Sequence, residues 1–327
     1  MVAPALRSML LLPLLLAGAA RASLQNGAGW LDTDGNQIEA HGGNILKIDG
    51  VYHWFGATKK ELEYKGKPCV AECSLGVNLY TSSDLMTWKF AAMVFNHTQI
   101  DVPVAGVPGG QAPVLPLRIE RPKVIFNAAT KMYVLAFHCE DAPYGVGLRG
   151  VASSATPTGP FAWSHAENPN GLFSMDMTEY VDPNDPSGQA YHIRTARHNP
   201  ARWKGENTQW TVGSKLSKDY LSTVPGDVCF NASVSAEGPA MLYHDGAYFI
   251  FASHLSGLAP NPARMLRCKA KMLSDCCAPP LGAPPPPPPP PPLLLLMSRA
   301  WGARRAVEMG GPWQPRGGCR PRVRAPP

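Results

Sequence analysis

Cysteines are the first residues whose type and spacing could do chemistry. Cys69 and Cys73 stand four apart in a polar loop, Lys67-Pro68-Cys69-Val70-Ala71-Glu72-Cys73. In an oxidising compartment two such thiols are expected to close a small disulfide loop. Zinc is the rival reading, with His138 and Cys139 as further ligands. No second closely spaced cysteine pair lies within the folded region to complete such a site, so no metal or other cofactor is expected. Cys276 and Cys277 are adjacent, lie in a compositionally odd tail, and need not have native partners. Asn96-His97-Thr98 and Asn231-Ala232-Ser233 are acceptor sequons for glycosylation at Asn96 and Asn231.

An oxidising compartment is also what the N-terminus implies. Arg7 precedes a leucine-dominated run, Met9 to Leu16, and Ala20-Arg21-Ala22 supplies the small-x-small pattern of a cleavage site. The run is too short to span a bilayer, which takes about 20 apolar residues. Residues 1–22 therefore read as a signal peptide, the mature chain as starting near Ser23, and the product as a secreted monomer.

The 327 residues are 45% hydrophobic and 17% charged, enough to bury a core. Net charge is +6, but residues 269–327 carry +7 of it (nine Lys/Arg against two Asp/Glu), leaving −1 for residues 1–268. A body of that charge is no nucleic-acid binder, and no membrane partner is implied either.

Nothing in the chain shows the 3.6-residue period of an amphipathic helix. Hairpin signatures recur instead. Asn44–Ile48 leads through Asp49-Gly50 into Val51–Phe55, and Ala240–Tyr243 leads through His244-Asp245-Gly246 into Tyr248–Phe251. Lys123–Phe126 turns at Asn127–Thr130 into Met132–Phe137, and a looser copy joins Glu179–Val181 to Ala190–Ile193. Asp-Gly between β-prone runs is a strong hairpin signal. Further strand-like segments follow the hairpins, around Gly76–Leu85, Gly150–Ala155 and Lys215–Ser222. A hairpin plus two strands, repeated every 50–80 residues or so, predicts an all-β propeller of four-stranded blades rather than a sandwich. Three blades read as complete; a fourth begins at Glu237 and shows one hairpin. The expected organisation is a propeller of about three and a half blades over 23–268, then a disordered Pro/Arg-rich tail over 269–327.

Several segments together resemble a known family. They are Asp32-Thr33-Asp34-Gly35-Asn36, Glu39-Ala40-His41-Gly42-Gly43, Tyr52-His53-Trp54-Phe55-Gly56, Tyr80–Leu85, Glu120-Arg121-Pro122-Lys123-Val124, Glu237-Gly238-Pro239-Ala240-Met241, Ala252-Ser253-His254 and Ala259-Pro260-Asn261-Pro262. In order and spacing they are similar to glycoside hydrolase family 43, in the branch of exo-β-1,3-galactanases, over roughly residues 28–268. The resemblance implies a five-bladed propeller that hydrolyses β-1,3-galactan, an arabinogalactan-type polysaccharide, with inversion. An inverting glycosidase needs one carboxyl group to protonate the leaving oxygen and a base, about 6.5–9.5 Å away, to activate water. By resemblance Glu237 is the general acid and Glu120 the residue that orients it and shifts its pKa. Asp176, Tyr144 and His254 match sugar-contact positions, and Trp54 could stack on a pyranose face, although a strand tryptophan at an alternating position is more often core. Without the motif, Glu237 would read as a solvated loop carboxylate and Glu120 as an ion pair with Arg121 or Lys123.

The family's usual base aspartate is missing, since the first blade starts His41-Gly42-Gly43. The galactanase branch is thought to use a glutamine of its last blade. Here nine prolines, Pro284 to Pro292, and a basic end follow instead, so the base is expected to be absent and the chain inactive. Ala57, Leu255 and Leu258 replace an acidic, a polar and a tryptophan position. A non-catalytic galactan-binding propeller is the contrasting reading. An arabinofuranosidase or xylosidase of the same family is the near neighbour, disfavoured by the absent aspartate.

Overall fold

The computed structural model describes residues 29–277, apart from 60–62, 65–66, 69–73, 104–106, 108–111, 142–143, 198–208, 233–235 and 257–258. The leader, the Cys69–Cys73 loop and residues 278–327 lie outside the described residues. Four small sheets stand in a ring, the propeller expected from the hairpin repeat. The first blade holds β1 (His41–Ile48), β2 (Val51–Ala57), β5 (Gly76–Ser82) and β6 (Lys89–Asn96), with the two-residue strands β3 (Glu63–Tyr64) and β4 (Lys67–Pro68) paired beside it. The second holds β7 (Arg118–Asn127), β8 (Met132–Glu140), β9 (Leu148–Ser154) and β10 (Ala162–Glu167). The third holds β11 (Phe173–Val181), β12 (Ala190–Arg197), β13 (Gln209–Leu216) and β14 (Thr223–Ala232). The fourth holds β15 (Glu237–His244), β16 (Ala247–Ser253) and β17 (Arg264–Lys269).

The hairpin chemistry explains the ladders. Asp49 and Gly50 have φ of 49° and 85°, and Asp245 and Gly246 have 47° and 69°. Positive φ at both central residues matches the right-handed twist of flanking strands, which is why Asp-Gly is favoured there. At the second hairpin, Asn127 Oδ1 accepts from the N–H groups of Ala129 and Thr130, both at 3.0 Å.

Alternation along each strand then supplies one apolar face to each neighbour. Phe55, Val77, Leu79 and Phe95 of the first blade meet Val124, Leu135, Phe137 and Leu148 of the second. Ile125, Val134 and Val151 meet Ala190, Leu216 and Tyr220 of the third. Tyr191, Ile193 and Cys229 meet Tyr248, Ile250 and Leu266 of the fourth. Between blades two and three lies a buried polar knot. Arg149 Nε donates to Glu179 at 2.9 Å, its Nη1 to Glu167 at 3.0 Å and to the Leu221 carbonyl at 2.9 Å. Glu179 also accepts from His192 Nδ1 at 3.0 Å, and His192 Nε2 meets Ser174 Oγ at 2.8 Å. Burial pulls His192 down to about 4, against the charge of Glu179. The ring is therefore neutral, donating to Glu179 and accepting from Ser174.

Two expectations at the C-terminal side need correcting. The fourth blade has a third strand, β17, and the described chain does not become a tail at Lys269. A 3-10 turn over Leu273–Cys276 follows, and Cys276 and Cys277, for which the sequence required no native partners, bond to Cys268 and Cys229 respectively. Leu273 and Cys276 are fully buried, and the Leu273 N–H donates to Asp182 of the third blade at 2.7 Å. Of the two sequons, Asn96 caps the 3-10 turn His97–Gln99 through its Oδ1, and Asn231 lies in β14.

Candidate active site

The four innermost strands, β1, β7, β11 and β15, touch in chain order, and each breaks its ladder near its N-terminal end. The breaks fall between His41 and Asn44, Glu120 and Lys123, Ser174 and Met177, and Glu237 and Ala240. In every case two residues oppose one on the partner strand, a bulge that bends the strand and re-aims a side chain. Gly42, Arg121 and Gly238 take φ of 61°, 50° and 61° at three of these bulges. At the first, a Cβ on Gly43 would stand 1.6 Å from the Phe55 carbonyl oxygen, so only glycine fits. Pro122 and Pro239 sit in the other two, where no ladder donor is needed.

The bulges turn their side chains into one cavity of about 640 Å³. His41, Glu120, Arg121, Met175, Asp176 and Glu237 line it, with Lys59, His138, Tyr144, Thr195 and Gln209 around them. Glu120 and Glu237, 117 positions apart, thus reach one space because blades repeat about an axis. Tyr144 and Asp176 join them.

Glu120 is held from two sides. The Tyr144 hydroxyl donates to Oε1 at 3.0 Å, and His138 Nδ1 lies 3.3 Å from Oε2. His138 Nε2 is 3.0 Å from Glu140 on its other side. Burial works against the charge on all three, but two carboxylates flank one imidazole. Their contacts and charges raise His138 to about 10, while His138, Tyr144 and the charge of Lys59 hold Glu120 down to about 2. Glu120 is therefore ionised at any working pH. The array's stabilisation is complete below His138's ordinary pKa and lost as pH rises through about 10; on the acid side it is lost as pH falls through about 2.

Glu237 is shifted the opposite way. Burial, then the negative charge of Asp176, raises its pKa; Arg121 and the Ser256 N–H oppose the rise. One carboxyl group inclined to keep its proton and one fixed as an anion is the division of labour of a general acid and its electrostatic partner. Among the described residues, Glu120, His138 and Asp176 also place ligand atoms within 4.8 Å of one another, but His138 and Arg121 already supply cationic partners there.

Two expected contacts lie elsewhere. Trp54 packs against Trp30, Tyr80 and Trp88, with ring centroids 5.4, 6.4 and 5.1 Å away. It alternates onto the face of β2 that points away from the second blade, so its role is packing. Trp54→Ala is expected to cost up to about 3 kcal/mol in urea unfolding. His254 is tied into its own loop: its N–H donates to Asn261 Oδ1 at 2.9 Å and its ring meets Arg264. Neither residue lines the cavity. Sequence reasoning missed Arg121, His138, Thr195 and Gln209. Arg121 and His138 were in view only as an ion-pair partner and a zinc ligand, and the signal for both was the bulge pairing of Glu120 with His138.

With this geometry, known structures can be compared. An exo-β-1,3-galactanase from Phanerochaete chrysosporium, crystallised with galactose, is 31% identical with a TM-score of 0.61, over 76% of this chain and 51% of that one. The likeness is thus to glycoside hydrolase family 43, in its exo-β-1,3-galactanase branch. An exo-β-1,3-galactanase from Clostridium thermocellum is 28% identical with a TM-score of 0.59, over 75% of this chain and 49% of that one. A family 43 β-1,3-galactosidase crystallised with galactodeoxynojirimycin is 27% identical with a TM-score of 0.60, over 75% and 77%. The chain spans about half the length of the first two. No protein-family model and no curated protein matches it by sequence.

Proposed function

We propose that this chain is a glycosidase domain whose cavity takes the terminal galactose of a β-1,3-galactan, with Glu237 as the acid of an inverting, exo-acting cleavage. The observation that carries the reading is the placing of Glu237 and Glu120 at matching bulges of two blades, with their pKa values pushed in opposite directions. The galactose and β-1,3-galactotriose bound by the Phanerochaete enzyme and its variants support the choice of sugar. Secretion through the leader of residues 1–22, glycosylation and a monomeric state belong to the same proposal and rest on sequence pattern.

Inversion needs a second group to take a proton from water on the far side of the ring. Among the described residues, the lining carboxylates other than Glu237 are both paired with cations, Glu120 with His138 and Asp176 with Arg121. That favours a site which binds galactose and holds a competent acid but turns over slowly in water. A small anion can replace the activated water. Azide would attack C1 from the face opposite the leaving oxygen; the C1–N bond forms as the C1–O bond breaks. The electron pair departs with the oxygen, which takes the Glu237 proton.

Calorimetry with galactose tests the reading. Binding at one site is expected, weakened about 10–100-fold by Asp176→Ala, the loss of a charged hydrogen-bond acceptor. No heat at tens of millimolar galactose would contradict the assignment.

A further inference from the structure

Asp176 does not face the cavity bare. Arg121 Nε and Nη2 donate to its two oxygens at 2.9 and 2.8 Å, a two-point pairing between neighbouring blades. Arg121 reaches across from its own bulge at φ 50°, a left-handed conformation unusual for a side-chain-bearing residue. Lys123 Nζ, buried behind it, bonds the Gly42 carbonyl and lies 3.4 Å from that of Arg121, holding the two bulges together. The pair rests against the residue next to the acid: a Cβ on Gly238 would stand 3.6 Å from Arg121 Nη2 and 3.7 Å from Asp176 Oδ2. The Arg121 side chain is nonetheless 42% exposed, with room to turn into the cavity.

We propose that Arg121 is a positioning residue that couples sugar binding at Asp176 to the proton on Glu237: it is paired with Asp176 in the empty cavity and displaced when sugar hydroxyls take the Asp176 oxygens. The displacement half rests on the galactose reading above; the ligand-free half does not. The cavity around Glu237 is lined by Asp176 from β11, Arg121 and Glu120 from β7, and His41 and Lys59 from the first blade, and the Ser256 N–H after β16 also acts on its carboxylate. Of these, Asp176 favours the protonated acid and Arg121 opposes it. While the fork is closed, Arg121 offsets part of the effect of Asp176. Once it opens, the Asp176 charge meets less opposition, and the Glu237 pKa, already raised in the empty cavity, rises further.

The test is a carboxyl-carbon NMR titration of Glu237 in protein labelled at glutamate, without and with saturating galactose. Without sugar, Arg121→Met is expected to raise the Glu237 midpoint by about one pH unit and Asp176→Asn to lower it, since charges a few ångströms away act at this scale. Arg121→Lys keeps the charge without the fork and should fall between wild type and R121M, which keeps the test alive should R121M fail to fold. With galactose, the wild-type midpoint should rise and the R121M midpoint should not. A ligand-free midpoint unchanged in both R121M and R121K overturns the coupling. Ligand-free shifts as predicted, with no response to galactose in any chain, overturn the displacement half and the galactose reading while leaving the coupling in place.

Discussion

Glu237→Gln is expected to lower azide-assisted cleavage of β-1,3-galactobiose by about 10²–10⁴-fold, the usual loss when a positioned acid is removed. The leaving group is a sugar hydroxyl, which departs poorly as an alkoxide. A proton delivered by Glu237 removes that difficulty, and an amide cannot deliver one. The same logic fixes the pH dependence. The group must be protonated to act, so the rate should fall as pH rises through the raised Glu237 pKa, and the glutamine variant should lack that limb. Glu120, held near 2, contributes no titration in the working range. An aryl galactoside with an acidic phenol should be almost indifferent to the substitution. A glutamine variant as fast as wild type on galactobiose would remove Glu237 from the role.

The second large effect lies in the packing between blades. Arg149 is fully buried and ties Glu179, Glu167 and two carbonyls of the third blade's outer loop. Arg149→Met keeps much of the volume but leaves Glu179 as a buried carboxylate beside a neutral imidazole. Removing one partner of a buried pair costs about 3–5 kcal/mol, a large share of an ordinary domain's stability. The urea midpoint should fall accordingly. Arg149→Met with Glu179→Gln should recover part of the loss, because no unpaired charge remains. A loss under about 1 kcal/mol in the single variant would mean that water already reaches Glu179.

Much of the fold is legible in the chain because hairpins are local. Asp49-Gly50 and Asp245-Gly246 specify their turns by backbone conformation alone, and alternation on either side fixes which face is apolar. The fourth blade's last strand was missed for a physical reason. Arg264–Lys269 holds three charged and three apolar residues that do not alternate strictly, and what holds it is its pairing with β16 and a disulfide at Cys268. Cysteine pairings of this kind cannot be deduced from spacing.

The candidate site divides along the same line. Glu120, Tyr144, Asp176 and Glu237 were found through a family resemblance. Sequence spacing could not bring them together, since a bulge shared by four distant strands is a property of the sheet. Once the bulges are known, the Gly-Gly, Arg-Pro and Gly-Pro pairs that follow His41, Glu120 and Glu237 are its trace. For Trp54 and His254 the sequence left two roles open, because an aromatic on an alternating strand and a histidine in a loop look alike whether they face sugar or neighbour. Trp30 and Asn261 decide between those cases.

The account's central claim is a cavity in which Glu237 protonates the leaving oxygen of a terminal β-galactosyl residue while attack comes from the opposite face. Proton NMR of the first product from β-1,3-galactotriose, with azide present and again without it, tests this most directly. The account predicts α-configured galactosyl azide in the first tube and only slow release of α-galactose in the second. A β-configured product in either tube, or bound galactotriose that azide leaves uncleaved, would contradict it.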